Sequence, residues 1–487
     1  MAELGGASVP ASVHETHSAV LFGVGDRVYK VKKPVDLGFL DFSTRELREA
    51  VCHREVELNR RLAPDVYLGV HDVVDEQGRP VDHAVVMRRL PADRSLQSLV
   101  AAGAPVDDGL RALARRLASV HAGAPRSDAV DAAGSLASVR RNWSDGLADL
   151  SRFVGPVVDL ATFERLRALS ARYLAGRGAL LAQRQQLGRL RDGHGDLLAA
   201  DVYLMPDGPR VLDCIEFDDD LRYGDVLLDV VFLSMDLEDL GHPELGRAFL
   251  AAYEEHSGQV HPASLLHHYT AYRALVRCKV TCLRWEQGDA ASRRHAQRLA
   301  ALAVRHLDAA QVRLVLVGGL PGTGKSTLAA RLADERGWTL LRSDMVRKQG
   351  TSGPVRYDAD TTDAVYGTLL RRARTALALG ESVVLDASWS DDAWRDRAAQ
   401  VADDTCSVLV ELQCEAPPDV ADARMRVRAR EGHDPSDASP AVARDMADRF
   451  AAWPSALHLD TTLGLTQVTS QAQLLMTGSR RTTRSRL

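Results

Sequence analysis

Residues 314–327 read Leu-Val-Leu-Val-Gly-Gly-Leu-Pro-Gly-Thr-Gly-Lys-Ser-Thr. An apolar, strand-like run passes into Gly-x4-Gly-Lys-Ser at Gly319–Ser326, and an Ala/Leu-rich helical stretch, Leu328–Asp334, follows. Strand, glycine loop and helix in that order are the setting of a Walker A loop. Glycines let backbone N–H groups curl around phosphate oxygens. Gly319, Gly322, Thr323, Gly324 and Thr327 are therefore the expected cradle, Lys325 the group that reaches the β- and γ-phosphates, and Ser326 the Mg²⁺ ligand. Further strands alternate with helices at Thr339–Arg342, Ser382–Asp386 and Ser407–Gln413. That alternation predicts a parallel sheet, so residues 311–487 are expected to form an α/β domain of the P-loop NTPase type.

The remaining 310 residues are long enough for a second domain with its own core. A net charge of −5 implies no overall attraction to nucleic acid or to a membrane surface. No apolar run approaches a membrane span and Met1–Val13 lacks a signal pattern, so a cytoplasmic protein is expected. The six scattered cysteines fit a reducing compartment. Cys278 and Cys282, four apart on a helical stretch below His267 and His268, read as helix packing rather than a metal site. Arg480, Arg481, Arg484 and Arg486 read as a frayed, solvated tail. Only six lysines stand against 55 arginines, with two asparagines and one isoleucine. In so lysine-poor a chain, a retained lysine suggests a place where a compact ammonium is needed. Three of the six, Lys30, Lys32 and Lys33, crowd one strand.

That strand belongs to an expected β-hairpin, Ala19–Gly23 and Arg27–Lys33, turning at Gly25-Asp26. A helix, Thr44–Leu62, carries Glu55 near its centre, and strands follow at Tyr67–Val74 and His83–Arg89. Helical periodicity dominates 107–190 (Leu110, Leu113, Leu117, Val120), and helices resume from Val230 to about Ala309. Between them lies an acidic, turn-rich stretch, Asp192–Asp229, containing His194-Gly-Asp196 and Asp201. Kinase-type phosphoryl transfer needs an aspartate facing the acceptor hydroxyl and side-chain oxygens for Mg²⁺ five residues on and after the next hairpin. Asp196 fits the first need and Asp201 the second. Across a turn at Pro206–Gly208, an expected strand Arg210–Phe217 supplies Asp213 and Glu216. Lys30 and Lys32 alternate onto one strand face, with Glu55 on the next helix, as in the lysine–glutamate pair that grips the phosphates. The Asp218–Asp220 run is either a lure for a cationic substrate or surface decoration.

These residues carry a resemblance. Thr16-His17-Ser18, Tyr29-Lys30-Val31-Lys32-Lys33-Pro34, Arg54-Glu55, Met87-Arg88-Arg89-Leu90, His194-Gly-Asp196 and Asp225 with Asp229 make residues 1–310 similar to the aminoglycoside phosphotransferase family. The resemblance implies a bilobal protein-kinase-like fold with Asp196 as catalytic base. It also implies Lys30 or Lys32 with Glu55 as the phosphate grip, and Asp213 or Glu216 beside Asp201 at the metal. The family usually has Asn at position 201 and His at position 198, where this chain has Asp201 and Leu198.

In the C-terminal part, Ser343-Asp344-Met-Val-Arg347-Lys348 follows the second strand, putting a carboxylate at the switch-point crevice where it can take a hydroxyl proton. Arg347 then anchors an acceptor or orients Asp344. Asp386 ends a Walker-B-like strand and supports Mg²⁺ through water or positions the acceptor. Arg424, Arg426, Arg428 and Arg430 crowd one helix before Ser436-Asp437-Ala438, with Arg428 the candidate lid residue; a solvated helix face competes. Residues 312–460 resemble the small P-loop kinases around gluconate kinase, polynucleotide 5′-hydroxyl kinase and zeta-toxin-like kinases, through Asp344, Arg347, Asp386 and Arg428. The whole chain resembles a bacterial fusion of these two domain types.

The expectation is thus a multidomain α+β and α/β protein using ATP and Mg²⁺ to phosphorylate a hydroxyl of a small polar metabolite such as a sugar, aminocyclitol or nucleoside. Nucleic acid and membrane are not expected partners. The competing readings are one catalytic domain beside a nucleotide sensor, a C-terminal 5′-hydroxyl polynucleotide kinase, and a non-enzymatic regulator.

Overall fold

A computed structural model describes residues 2–4, 7–9, 11–16, 18–36, 38, 40–349, 358–431 and 440–478. His17, the Ser436–Ala438 stretch and the C-terminal arginines therefore lie outside the described residues. The chain divides into two compact units. The first groups Met1–Leu166, Leu181–His261 and His268–His306; the second groups Arg167–Leu180, Pro262–His267 and Leu307–Leu487.

The first unit opens on a five-stranded antiparallel sheet in the order Ala11–Glu15, Ala19–Val24, Arg27–Lys32, Pro80–Arg88, Tyr67–Val74. The expected hairpin forms, with Gly25 at φ +62 in its turn. The helix spans Arg45–Asn59, one turn shorter than expected at its end, and Thr44 is its N-cap, accepting a hydrogen bond from the Leu47 N–H. Cys52 and Val56 bury against Tyr67, Val85 and Met87. The i, i+3, i+4, i+7 spacing of Cys52, Glu55, Val56 and Asn59 puts the Glu55 carboxylate on that same inner face.

Helices form the rest of this unit. Asp107–Gly123 buries Leu110, Leu113 and Leu117 as its periodicity predicts, but in its last turn the buried residue is His121 while Val120 is only half-buried. In the acidic stretch, two short antiparallel pairs form: Leu190–Asp192 with Tyr223–Asp225, and Val202–Met205 with Gly208–Val211. The strand expected over Arg210–Phe217 stops at Val211 because Asp213 turns into the left-handed region, φ +63, and no ladder continues through it. The next helix starts at Val226, four residues earlier than expected, capped by the Asp225 side chain accepting from the Leu227 N–H. Asp225 is itself held by a buried, two-pronged bond from Arg184, both distances 2.7 Å. Cys278 and Cys282 are buried within one helix, and Cys278 Sγ donates to the Ala296 carbonyl. Among the described residues no three His, Cys, Asp or Glu side chains gather to hold a metal ion.

The second unit is built on a five-stranded parallel sheet ordered Thr339–Arg342, Val383–Asp386, Arg313–Gly318, Val408–Glu415, Leu457–Asp460. Its core joins Val315, Val317, Val384, Val410 and Leu412 of the sheet to Leu328 and Leu332 of the helix Lys325–Arg336. Central strands buried on both faces read as unbroken apolar runs, which is why 313–318 and 383–386 were legible. Arg177 is fully buried in this unit. Its guanidinium donates to the carbonyls of Gly176 (2.7 Å), Leu377 (2.7 Å) and Thr405 (3.0 Å) and lies over the Tyr173 ring. No described helix is long and apolar enough to cross a membrane.

Candidate functional site

In the first unit, register sets the phosphate-grip candidates. Lys30 lies opposite Val85 and Leu21, and Lys32, two residues on, shares its face. Both reach the buried Glu55: Lys30 Nζ is 2.9 Å from Oε1 and Lys32 Nζ is 2.6 Å from Oε2. Each lysine also takes a second carboxylate. Lys30 meets Asp213 Oδ1 at 2.6 Å, and Lys32 meets Glu216. Two ammonium groups thus face three carboxylates. Burial alone would strip the proton from Lys30, but Asp213, Glu55 and Glu216 overcome it and hold Lys30 well above the ordinary lysine range. Lys30 in turn depresses the Asp213 carboxyl to about 2. Burial raises Glu216 despite the neighbouring Lys32. The positive φ of Asp213, which ends the strand, is what aims its carboxylate at Lys30.

The Asp196 carboxyl is pushed up to about 6 by burial, with Arg277 opposing and Asp213 reinforcing the shift. Asp201 is driven well above the usual range by burial and by the charges of Asp213 and Asp196. Asp201, a buried carboxylate that resists ionising beside Asp213 and Asp196, is a donor that fits Mg²⁺.

Asp229 holds the loop that carries Asp196. Its two oxygens accept the backbone N–H groups of His194 (2.9 Å) and Gly195 (2.8 Å), and His121 Nε2 lies 3.1 Å away. His121 Nδ1 pairs with Tyr253 Oη at 2.8 Å. Burial works against the Asp229 charge, yet His121 and these bonds keep its carboxyl well below the carboxylate range. Arg61 adds a bond to the Gly193 carbonyl at 2.8 Å. Sequence reading missed His121, Tyr253 and Arg61. The signal for His121 was a histidine at a position where the helix periodicity demands an apolar residue. The Asp218–Asp220 run forms a short turn in which Asp219 is engaged by Arg222 and Arg54, so part of its charge is already spent.

In the second unit, the loop after Gly318 has Gly319, Gly322 and Gly324 at φ +133, +82 and +84. A Cβ on Gly319 would sit 2.4 Å from the Cys414 carbonyl oxygen, and one on Gly322 would sit 2.5 Å from that of Ala421, so a side chain fits at neither. The Gly319 N–H donates to the Ser388 carbonyl at 3.1 Å, and Thr323 Oγ1 donates to the Leu320 carbonyl at 2.8 Å. Thr461 Oγ1 donates to the Thr323 carbonyl at 2.6 Å. Arg424 grips that threonine, with Nη2 2.6 Å from the Thr461 carbonyl. Lys325 and Ser326 start the helix and are half-buried, leaving both side chains and the helix N-terminus available to an anion.

Asp344 accepts from Arg347 Nη1 at 2.9 Å, one helical turn on, and Arg347 is buried. Asp386 lies opposite Val317 and Arg342 in the sheet register. Its Oδ2 accepts from Arg342 Nε at 3.1 Å, while Oδ1 is buried with no hydrogen-bond partner among the described residues. A buried carboxylate oxygen without a donor fits a hydrated cation beside Ser326. Arg428 shares the helix Pro418–Glu431 with Arg424, whose bonds reach the loop. The strand order puts Asp344 and Asp386 on one flank of the loop. A cavity of about 680 Å³, lined by Gly319, Leu320, Thr323, Glu415, Phe450 and Thr462 among others, opens on the other.

Comparison with known proteins finds two families along the chain. Residues 18–267 match the phosphotransferase enzyme family, and residues 314–453 match an AAA domain. An uncharacterized protein of Mycobacterium tuberculosis is 43% identical over 461 residues, 92% of either chain, and one of Mycobacterium bovis matches equally. Among solved structures, a choline/ethanolamine kinase family protein from Mesorhizobium loti is similar over 63% of this chain and 94% of its own, at 18% identity and TM-score 0.39. A gluconokinase from Sinorhizobium meliloti is similar over 35% of this chain and 98% of its own, at 17% identity and TM-score 0.28. The family match spans half of the chain and takes in both the lysine strand and the His194-Gly-Asp196 loop, so the protein belongs to the phosphotransferase enzyme family, with an AAA domain following at residues 314–453.

Proposed function

We propose that this phosphotransferase works at two sites, each moving the γ-phosphoryl group of ATP to a hydroxyl of a small polar metabolite such as a sugar, aminocyclitol or nucleoside. One observation carries the reading: each unit combines lysine chemistry for phosphate with a carboxylate suited to taking a proton. These are Lys30, Lys32 and Asp196 in the first unit, and Lys325 and Asp344 in the second. The acceptor oxygen bonds to the γ-phosphorus, the bond to the β–γ bridging oxygen breaks, and ADP leaves with that electron pair. The acceptor proton passes to Asp196 or Asp344.

In the first unit Lys30, Lys32 or both hold the phosphates, and Asp201 with Asp213 or Glu216 would hold Mg²⁺. In the second, the loop N–H groups and Lys325 hold them, Ser326 and Asp386 would hold Mg²⁺, Arg347 orients Asp344, and the arginine helix with Arg428 closes over the site. Bound Mg²⁺ offsets charge on the phosphate oxygens. The cavity beside Gly319 has room for the nucleoside end of ATP, leaving the Asp344 flank to the acceptor.

A single catalytic unit beside a sensor gains support from the first site, where both lysines are already neutralised by Asp213 and Glu216. One experiment separates these readings: transfer from γ-labelled ATP into a metabolite pool by wild type, Asp196→Asn, Lys325→Ala and the double variant. Two catalytic sites predict partial loss in each single variant and complete loss in the double. Label that survives the double variant refutes the proposal.

A further inference from the structure

In the second unit the chain leaves Asp386 and, three residues on, Trp389 adopts φ +52. A bulky residue stays in that region only where its surroundings over-determine it. The Trp389 indole is fully buried and stands edge-on to the Tyr366 ring, centroids 5.1 Å apart; Tyr366 in turn stacks on Trp394 at 5.1 Å. The peptide group joining Ser388 to Trp389 is held at both ends. Its carbonyl accepts the Gly319 N–H at 3.1 Å, and its N–H donates to Tyr366 Oη at 3.1 Å. Tyr366 Oη also pairs with Ser388 Oγ, 3.0 Å away.

Flipping this peptide would relieve the φ of Trp389. It would also turn the carbonyl away from Gly319, the first glycine of the phosphate loop. Gly319 has little room to follow, since a Cβ at that position would sit 2.4 Å from the Cys414 carbonyl oxygen. The Tyr366 hydroxyl therefore stands one peptide away from the loop and opposes the flip.

We propose that Tyr366 is a positioning residue of the second phosphate site: its hydroxyl latches the Ser388–Trp389 peptide in the orientation that fixes Gly319, and so sets nucleotide affinity. This rests on reading the Gly319–Ser326 loop as a nucleotide site. Nothing in the motif points to Tyr366, which lies forty residues downstream on the helix Ala359–Ala378.

The test uses the full-length chain, Mg²⁺ and methylanthraniloyl-ATP, with Lys325→Ala defining the signal that belongs to the second site. Tyr366→Phe keeps both ring contacts and removes both hydrogen bonds of the hydroxyl, of which the one to the Trp389 N–H is fully buried, so Lys325-dependent affinity is expected to fall roughly five- to tenfold. Amide exchange at Gly319 should accelerate by a similar factor. Trp394→Leu is the structural control: it removes the stacked ring, lowers thermal stability and leaves affinity within about twofold of wild type. Wild-type affinity in Tyr366→Phe, or equal losses in Tyr366→Phe and Trp394→Leu, overturns the latch. If wild type shows no Lys325-dependent signal, the nucleotide reading of the loop itself fails and the latch falls with it.

Discussion

Replacing Glu55 by Gln removes the one negative charge shared by two buried ammonium groups. The Lys30 and Lys32 side chains are 11% and 1% exposed, so water cannot take over. Stripping one partner from a buried ion pair costs about 3–5 kcal/mol. Each lysine keeps a second carboxylate, Asp213 or Glu216, which places the loss near the lower end, about 3 kcal/mol. At roughly 2 °C per kcal/mol for a unit of this size, the first unit should melt about 6 °C lower. Scanning calorimetry of the full chain reads this directly, since the transition of the second unit should stay in place. The double variant Glu55→Gln/Lys32→Met should lose less than the sum of its two single variants, because both substitutions break the same Glu55–Lys32 pair.

The pH dependence has a definite sign. Burial opposes the Glu55 charge, but Lys30 and Lys32 prevail and hold its carboxyl below the ordinary 4.5. Its contribution is complete above that value and disappears as pH falls through the depressed one, so the gap between wild type and variant should close in acid. Additive single and double variants, or a shift of less than about 2 °C, would refute the reasoning from the shared Glu55 carboxylate.

Three other outcomes follow from the same geometry. First-unit transfer should rise with pH through about 6, because the Asp196 carboxyl keeps its proton up to there; a pH–rate profile with its limb below 5 contradicts this. Gly319→Ala should abolish Lys325-dependent nucleotide binding, since its Cβ would meet the Cys414 carbonyl at 2.4 Å at a φ of +133; retained affinity in an isothermal titration would show that the loop tolerates another shape. Arg177→Met strands the carbonyls of Leu377 and Thr405 in the interior, and urea unfolding of the second unit should show a loss of about 3 kcal/mol.

What the sequence made legible was local. The phosphate loop, the lysine strand and the Glu55 helix are each written in a few adjacent residues whose spacing matches one backbone period. The hairpin Ala19–Val24 and Arg27–Lys32 and the strands of the parallel sheet fell close to where alternation and apolar runs placed them. The misreadings share a cause: a tertiary partner overrode local preference. Arg210–Phe217 reads as a strand until Lys30, 183 residues away, draws Asp213 into a left-handed turn. His121 looks like a helix residue of no consequence until Asp229 arrives from another helix. Arg424, Arg426, Arg428 and Arg430 are indistinguishable in composition; the position of Thr461 is what shows that Arg424 reaches the loop.

The membership of Arg167–Leu180 and Pro262–His267 in the second unit has a consequence for biosynthesis. These residues leave the ribosome long before the Walker strand Arg313–Gly318 exists, yet Arg177 serves carbonyls at Leu377 and Thr405 that are translated some two hundred residues later. The second unit is therefore completed by pieces translated before the rest of it. A gene fragment beginning at Leu307 encodes the phosphate loop and all five parallel strands but omits those pieces. The two halves, whatever their separate ancestry, are now inherited as one.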